Sequence, residues 1–266
     1  MAIGVNNENG KNAAGRGGVM AARTIVGALG VLVFLAHDTA VAQGGPPLIT
    51  DDPDTPGPGY WEINLATTVQ RSSSQRRLEA PLADINYGVG RRIQLKLEIP
   101  WLNARDGGQL IDNGPAATVG VKWRFLGQEG QRVAWSIYPQ FESDGKTYLL
   151  PTEITFEIGP IEINGEVGRT HTAGGGGGWV SGLSTELAVR RSLELLGELH
   201  GTRTGALPTD LVVDVGARQK LVRQILLLVA VGTAVRGSPE ARTRLRLYTG
   251  LQFNLPGQYV FNTAPP

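Results

Sequence analysis

Hydrophobic and polar residues alternate one by one through most of the chain after residue 59. The stretch from Arg91 to Trp101 reads RRIQLKLEIPW, with apolar side chains at the odd positions and Gln94, Lys96 and Glu98 between them. Successive side chains of a β-strand point to opposite faces, so a period of two collects the apolar groups on one face. The pattern therefore predicts a strand with one apolar face and one charged face.

The same alternation recurs, and most of the segments are long. Strands of about 9–11 residues have the length that a tilted strand needs to cross a bilayer, and they exceed the usual strand of a soluble sheet. Only the eleventh segment is apolar on both faces. The twelve predicted segments are 60–71, 78–88, 91–101, 117–125, 133–142, 154–158, 161–167, 179–190, 193–200, 211–218, 225–235 and 244–253.

The connections between these segments alternate in length. Short turns such as Gly159-Pro160 alternate with longer connections such as LNARDGGQLIDNGP, which starts at Leu102. Short turns at one end and long loops at the other are typical of outer-membrane barrels. An open strand edge in lipid would leave backbone groups unpaired, so the sheet must close. The predicted fold is an all-β, closed, antiparallel transmembrane β-barrel of about twelve strands, within a range of ten to fourteen.

Aromatic residues of the apolar face lie near the ends of the predicted strands. This placement is typical of the two aromatic girdles of a membrane protein, whereas a core tryptophan has no preference for strand ends. The predicted girdles consist of Trp61, Tyr87, Trp123, Trp135 and Phe253 at the short-turn rim, and of Trp101, Phe141 and Trp179 at the long-loop rim.

The first part of the chain reads as an export signal. Arg23 precedes an apolar run from Thr24 to Ala36, and Ala40-Val41-Ala42 matches a signal-peptidase site. The predicted organisation is an N-terminal extension and signal peptide over 1–42, a lead-in rich in proline, glycine and aspartate over 43–59, the barrel over 60–255 and a tail over 256–266. The polar stretch 1–19 is expected to precede the true start at Met20, with a start at Met1 left open.

Composition excludes several classes of function. The 266 residues carry a formal net charge of +1, which gives no indication of nucleic-acid binding. The absence of cysteine rules out disulfides and thiolate metal sites. Isolated histidines predict no metal site and no cofactor. Ser184, Glu186 and His200 share the polar face, but no nucleophile motif surrounds Ser184, and the chain is predicted not to be an enzyme.

The polar face is rich in both acids and bases. It forms either opposed acidic and basic walls that orient polar solutes, or cross-strand pairs that fill a narrow lumen. About twelve strands lie between filled eight-stranded barrels and open porins, so the count leaves both interpretations open. The lumen-lining candidates are Glu62, Asp84, Lys96, Glu98, Lys122, Arg124, Glu142, Glu162, Glu166, Glu186, Arg190, Glu198, Asp214, Arg218, Arg244 and Arg246.

The lead-in and the first strands carry recognisable motifs. A Gly-Pro-Pro stretch precedes Thr50-Asp51-Asp52-Pro53, Tyr60-Trp61-Glu62 follows, and Tyr87-Gly88-Val89-Gly90 leads into the strand that ends at Pro100-Trp101. Here the chain resembles the bacterial outer-membrane proteins of the MetA pathway of phenol degradation family, which are described as transporters. The resemblance is clearest in the first third of the mature chain. It implies a barrel that passes small, hydrophobic or aromatic molecules, and it carries no catalytic residues.

The predicted function is therefore passive or facilitated passage of small molecules through the bacterial outer membrane. The expected partners are outer-membrane lipid, small-molecule solutes and the barrel-assembly machinery. Two alternatives stay open: a structural or adhesive barrel with a closed lumen, and a secreted soluble β-protein that binds a ligand. The lead-in either hangs outside the barrel as a tether or folds into the lumen as a plug, where its aspartates could meet lumen arginines.

Overall fold

The protein is built from one antiparallel sheet. The computed structural model describes residues 45–127, 131–143 and 146–257. No described segment is a helix of the length and apolarity that crosses a membrane. The strands within the described ranges are β1 (Tyr60–Arg71), β2 (Gln75–Val89), β3 (Ile93–Asp106), β4 (Gln109–Pro115), β5 (Thr118–Leu126), β6 (Val133–Ile137), β7 (Gln140–Glu142), β8 (Thr147–Ile158), β9 (Ile161–Thr172), β10 (Gly177–Arg190), β11 (Leu193–Thr204), β12 (Asp210–Val222), β13 (Ile225–Arg236) and β14 (Leu245–Pro256).

The sheet closes on itself. β1 pairs with β14 along its whole length, from Tyr60 opposite Pro256 to Arg71 opposite Leu245. β4 and β5 both pair with β3 and act as one broken barrel strand. β6 and β7 likewise both pair with β5 and β8, and Pro139, which has no N–H for the ladder, lies at their break. The described residues thus form a closed barrel of twelve strands, which confirms the predicted fold class.

The two faces of the barrel differ as the alternation predicts. On β3, Gln94 and Pro100 are buried inside, whereas Leu95, Leu97 and Ile99 are exposed on the outside. The same contrast runs around the barrel, and the outward side chains are large and apolar. A soluble protein rarely exposes a continuous apolar surface of this extent, whereas a barrel in lipid requires one.

Placing a charge in this apolar belt should destabilise the barrel. Leu97 lies on β3 midway between Ile93 at the short-turn end and Trp101 of the long-loop girdle, and it is 38% exposed. We expect Leu97→Arg to lower the free energy of unfolding in lipid vesicles by about 2–4 kcal/mol, because arginine near the bilayer midplane is poorly solvated. Denaturant titration in vesicles measures this loss. Leu110→Arg on β4 is the matched control, and an equal loss there would contradict a lipid-facing position for Leu97.

The long-loop rim differs from the prediction. Several stretches that the sequence suggests as loops are paired strand instead, so β1 and β2 are joined only by 72–74, and β3 and β4 only by Gly107-Gly108. The physical reason is that hairpins keep their backbone hydrogen bonds where they project beyond the apolar belt. The long-loop rim therefore projects further than the short-turn rim partly because its strands are longer, and not only because its loops are longer.

An apolar cluster also lies inside the barrel. Ala66, Leu82, Leu228, Ala230 and Tyr248 are buried together, with partly buried Leu226 packed against them. These residues belong to β1, β2, β13 and β14. The cluster explains why the segment 225–235 is apolar on both faces: one face meets the outside and the other fills this side of the interior.

Candidate functional site

The lead-in folds into the barrel. Gly59 N donates a 2.8 Å hydrogen bond to Gly88 O at the end of β2, and Gly257 N donates one of 2.6 Å to Gly59 O. From this anchor at the short-turn rim, residues 45–56 run into the lumen, and we refer to them as the plug. Thr50 and Asp52 are buried there. Of the two placements that the sequence leaves open for the lead-in, the structure shows the one inside the lumen.

A tight turn gives the plug its shape. Leu48 N donates to Gly45 O at 3.0 Å, and Gly45 N donates to Thr50 O at 3.1 Å. These bonds fold the segment back on itself and satisfy part of its backbone, as buried polar groups require. The remaining backbone groups of the plug are free to bond with the barrel wall.

Two wall carboxylates receive the plug's N–H groups. Ile49 N donates to Glu198 Oε2 at 2.9 Å, and Thr50 N donates to Glu198 Oε1 at 2.5 Å. Asp51 N donates to Glu166 Oε2 at 3.0 Å. Hydrogen bonds to an ionised acceptor are among the stronger ones in proteins, so these glutamates hold the plug against β9 and β11.

Two cations of β5 hold the plug's acids. Lys122 Nζ lies 3.0 Å from Asp51 Oδ1, and it also bonds the carbonyl of Asp52. Arg124 Nη1 donates to Asp54 Oδ1 at 2.6 Å. Lys122 and Arg124 are two residues apart on one strand, so both side chains point inward. They can therefore bind two acids of the plug, Asp51 and Asp54, at the same time.

Two arginines on the other side of the lumen bind plug carbonyls. Arg218 Nε donates to Pro46 O at 3.1 Å, and Arg246 Nη2 donates to Pro47 O at 3.0 Å. Each arginine also pairs with a wall carboxylate, Arg218 with Glu186 at 2.5 Å and Arg246 with Asp214 at 3.2 Å. The charged lumen therefore contains both cross-strand ion pairs and contacts to the plug.

Close fit against the wall depends on glycine. A Cβ added at Gly182 would overlap Thr50 Oγ1, and one added at Gly88 would overlap Gly57 O. Both glycines lie in strands. Glycine has no side chain to pack there, and it often marks a place where another backbone comes close. Gly182 allows the plug to lie directly on β10, and Gly88 allows the adjoining Gly57 to lie directly on β2.

A side chain at Gly182 should loosen the plug. We expect Gly182→Val to displace Thr50 at a cost of about 1–3 kcal/mol, because the wall cannot move away from the added methyl groups. Limited proteolysis of the lead-in should then be faster than in the unchanged protein. Gly197→Val is the control, since the nearest atom to its added Cβ is Thr185 Oγ1 at 3.5 Å. Equal cleavage in both variants would argue against close packing at Gly182.

A cavity of about 620 Å³ lies above the plug, on the side of the long-loop rim. Its lining combines plug residues such as Leu48, wall residues such as Asp84 and Tyr248, and loop residues such as Leu207 and Arg242. A second, much smaller cavity of about 20 Å³ lies on the other side of Asp51 and Lys96. The plug thus separates a solute-sized cavity from a narrow remnant of the lumen.

The structure places most of the predicted lumen residues inside. Asp84, Lys122, Arg124, Glu162, Glu166, Glu186, Glu198, Asp214 and Arg218 are buried, and Glu62, Lys96, Glu98, Glu142 and Arg246 are partly buried. Arg190 and Arg244 are exposed and differ from the prediction. A register shift after Ala188 brings Arg190 opposite Leu193 and reverses its face, because a bulge adds one residue. Arg244 precedes β14 and lies at the long-loop rim.

Sequence reasoning missed one central residue. Glu153 is fully buried beside Lys122, with its Oε2 3.4 Å from Nζ and 2.5 Å from Ser136 Oγ. The predicted segment began one residue later, at Ile154. The alternation of β8 would have predicted it, since Glu153 lies two residues before Thr155 on the same inward face. Pro151 obscured it, because proline normally counts against strand structure.

The predicted girdle residues lie on the outward face, and several contact one another. Trp61 and Tyr87 have ring centroids 4.5 Å apart, and Phe141 and Tyr148 have centroids 4.9 Å apart. Phe125, which the prediction did not include, joins Trp123 to Trp135 with centroid distances of 5.7 and 5.5 Å. Trp101, Trp123, Trp135 and Trp179 are exposed, whereas Trp61, Tyr87, Phe141 and Phe253 are partly buried.

The serine and histidine considered for nucleophilic chemistry are not joined. Ser184 Oγ is buried without a hydrogen-bond partner among the described residues, and so is His200 Nδ1. The latter atom lies 3.8 Å from Glu198 Oε1, beyond hydrogen-bond distance. A nucleophile needs a base within reach, and this pair does not supply one in the arrangement described.

The chain matches no known protein family and no curated protein. It is similar to solved outer-membrane barrels. These include the KdgM porin at 13% identity and TM-score 0.55, covering 72% of this chain and 98% of that one. The NanC porin has 8% identity and TM-score 0.52, covering 73% and 100%. An outer membrane channel from Pseudomonas putida F1 has 10% identity and TM-score 0.57, covering 83% and 100%. Such likenesses show the fold and do not show membership of the phenol degradation family.

Proposed function

We propose that this protein is a channel of the bacterial outer membrane through which small molecules pass, and that the plug restricts its lumen. The observation that carries the proposal is the cavity of about 620 Å³ inside a closed, polar-walled barrel, with the plug as its floor. The plug is held by separate ion pairs and hydrogen bonds rather than by an apolar core, so it can be released. The porin and channel barrels that share the fold support this reading.

The outward face supports a location in the outer membrane. Its exposed apolar side chains need lipid as their partner, and a soluble ligand-binding protein would present them to water. An export signal and the barrel-assembly machinery belong to the same proposal. The predicted signal peptide and its cleavage after Ala42 lie outside the described residues, as does the tail from residue 258 onward.

The solute class follows from the motif resemblance and from the lining of the cavity. The resemblance to the phenol degradation family favours hydrophobic or aromatic molecules. Leu48, Leu82 and Tyr248 give the cavity wall apolar surface on which such a molecule could lie. In this proposal the protein acts as a passage and catalyses no chemical step.

A closed barrel that serves structure or adhesion is the second candidate. The observation that favours it is that the cavity on the far side of Asp51 and Lys96 is only about 20 Å³. In this case the plug would be a permanent filling, and the projecting β3–β4 hairpin with exposed Leu110 and Ile111 would be the functional surface.

Solute flux separates the two candidates. The full-length protein and a variant lacking residues 45–56 are reconstituted in liposomes, and the uptake of small neutral and aromatic solutes is followed against protein-free liposomes. We expect measurable flux with the full-length protein and much faster flux with the deletion. Heat-modifiable gel migration verifies that both proteins are folded barrels. Folded protein without flux in either form would refute the channel and leave the closed barrel.

A further inference from the structure

The lumen has more hydrogen-bond acceptors than its own donors use. Among the described residues, buried carboxylates outnumber the buried cations Lys122, Arg124 and Arg218. Buried carboxyl and amide oxygen atoms without a hydrogen-bond partner in the described part of the chain belong to Asp52, Asn64, Asp84, Glu153, Glu186, Asp210 and Asp214. Buried acceptors normally find a partner, and in a lumen that holds a cavity, water or a solute donor can supply it.

Asp84 is a carboxylate with an oxygen that has no hydrogen-bond partner among the described residues, and it also lines the cavity. It is 2% exposed and contributes to the lining of the 620 Å³ cavity. Its Oδ2 accepts a 3.3 Å hydrogen bond from Asn64 Nδ2, whereas Oδ1 has no hydrogen bond within the described residues. Oδ1 has only an ion pair at 3.4 Å with Lys96 Nζ.

Lys96 is shared between two carboxylates. Its Nζ lies 3.0 Å from Glu98 Oε2 as well as 3.4 Å from Asp84 Oδ1. Asp84 and Glu98 therefore share a single cation, and the cavity wall on β2 and β3 keeps an excess of negative charge. An uncompensated charge at a largely buried wall acts strongly on an approaching solute, because little water screens it.

Two further cations near the cavity are engaged with other groups, and Arg242, which also lines the cavity, lies exposed in the loop between β13 and β14. Arg246, on β14, bonds Asp214 and the carbonyl of Pro47. Lys122 bonds Asp51 and Glu153 beneath the cavity. The described residues contain no group of ligands suited to a metal ion. With no such group of ligands in the described ranges, we take an organic cation rather than a metal ion as the candidate partner.

We propose that the cavity binds small organic cations, with a primary ammonium group at Asp84 and Glu98 and an apolar body against Leu48, Leu82 and Tyr248. An ammonium group supplies three donors and one positive charge, which are what this wall lacks. The inference rests on the proposed function in one respect, since it names the charge class of the solute that the channel takes up. Binding itself requires only the cavity.

Equilibrium binding tests the proposal without any need for flux. Saturation-transfer NMR on the full-length protein in detergent compares three probes of similar size: n-butylammonium, 1-butanol and butyrate. We expect n-butylammonium to bind at least about tenfold more tightly than the other two, because charge-assisted hydrogen bonds are roughly twice as strong as neutral ones. Equal binding of all three probes, or a preference for butyrate, would overturn the proposal.

Two variants locate the site. Glu98→Gln and Asp84→Asn keep the side-chain shape and remove one charge each, and each should weaken n-butylammonium binding about tenfold while leaving 1-butanol binding unchanged. Asp112→Asn on the exposed strand β4 is the matched control and should have no effect. If Asp84→Asn fails to fold, Glu98→Gln at its partly buried position still decides. Unchanged ammonium binding in folded Glu98→Gln would place the cation elsewhere and sink the proposal.

The outcome is separable from that of the channel. Flux without ammonium preference would leave the channel standing and remove the cation site. Ammonium binding without flux in either liposome preparation would establish the site in a barrel that does not conduct. The two proposals therefore fail through different measurements.

Discussion

Replacing Lys122 with glutamate is expected to release the plug and to raise the single-channel conductance of the reconstituted protein. Lys122 is 1% exposed and is the common partner of Asp51, Asp52 and Glu153. The substitution would add a fourth carboxylate to three that have lost their cation. Removing one partner of a buried ion pair costs about 3–5 kcal/mol. If this free-energy cost weakens the attachment of the plug, the ratio of released to bound plug rises by about a hundredfold or more.

Planar-bilayer recordings measure the conductance, and limited proteolysis of the lead-in reports the release directly. Lys220→Glu is the matched control, since it makes the same charge change at an exposed position of β12. The exchanged pair Asp51→Lys with Lys122→Glu should restore part of the closed state, because the opposite charges again face each other. An unchanged conductance and an unchanged cleavage rate in a folded Lys122→Glu barrel would show that the ion pair does not hold the plug.

Arg218→Leu should produce the largest loss of barrel stability among the lumen residues. Arg218 is buried, lies 2.5 Å from the fully buried Glu186 and 3.7 Å from Glu194, and also bonds Pro46 O of the plug. The substitution leaves Glu186 as a buried charge without its cation. We expect the free energy of unfolding to fall by about 3–5 kcal/mol, measured by guanidinium titration in lipid vesicles.

The double variant Glu186→Leu with Arg218→Leu distinguishes the lost pair from lost packing. Replacing both members of a buried ion pair by apolar residues is often close to neutral, so most of the stability should return. The plug would still lack its contact with Arg218, and its proteolysis should stay fast. Arg203→Leu, at an exposed position of β11, controls for loss of an arginine. A double variant as unstable as Arg218→Leu would contradict the ion-pair explanation.

The barrel could be predicted because its signal is repeated and local. On β3, each apolar residue from Ile93 to Ile99 faces outward, and each polar residue between them faces inward. A shift of one residue would reverse every side chain, so the pattern itself sets the register. The predicted inward position of Arg190 was wrong, because a bulge breaks the alternation there. The predicted start of the strand at Ile154 was also wrong, because β8 continues through Pro151 to Thr147.

The plug could not be predicted in the same way. Residues 45–56 have no hydrophobic period, and their contacts are with residues far away in the chain: Ile49 bonds Glu198, and Arg246 bonds Pro47. The aspartates at 51, 52 and 54 suggested a partner with positive charge, but nothing local indicated Lys122 rather than another cation. Whether such a segment enters a lumen is decided by the sum of many distant polar contacts.

The pairing of β1 with β14 has a consequence for biogenesis. The first and last strands meet along their whole length, so an enclosed interior exists only after the end of the chain has been made and docked. Gly59, which anchors the plug, is bonded on both sides of this joint: its N–H donates to Gly88 O at the end of β2, and its carbonyl accepts from Gly257 N after β14. A chain truncated before β14 would lose the enclosure and one fastening together. Closure of the interior and full attachment of the lead-in therefore depend on the same late step, the docking of the C-terminal strand.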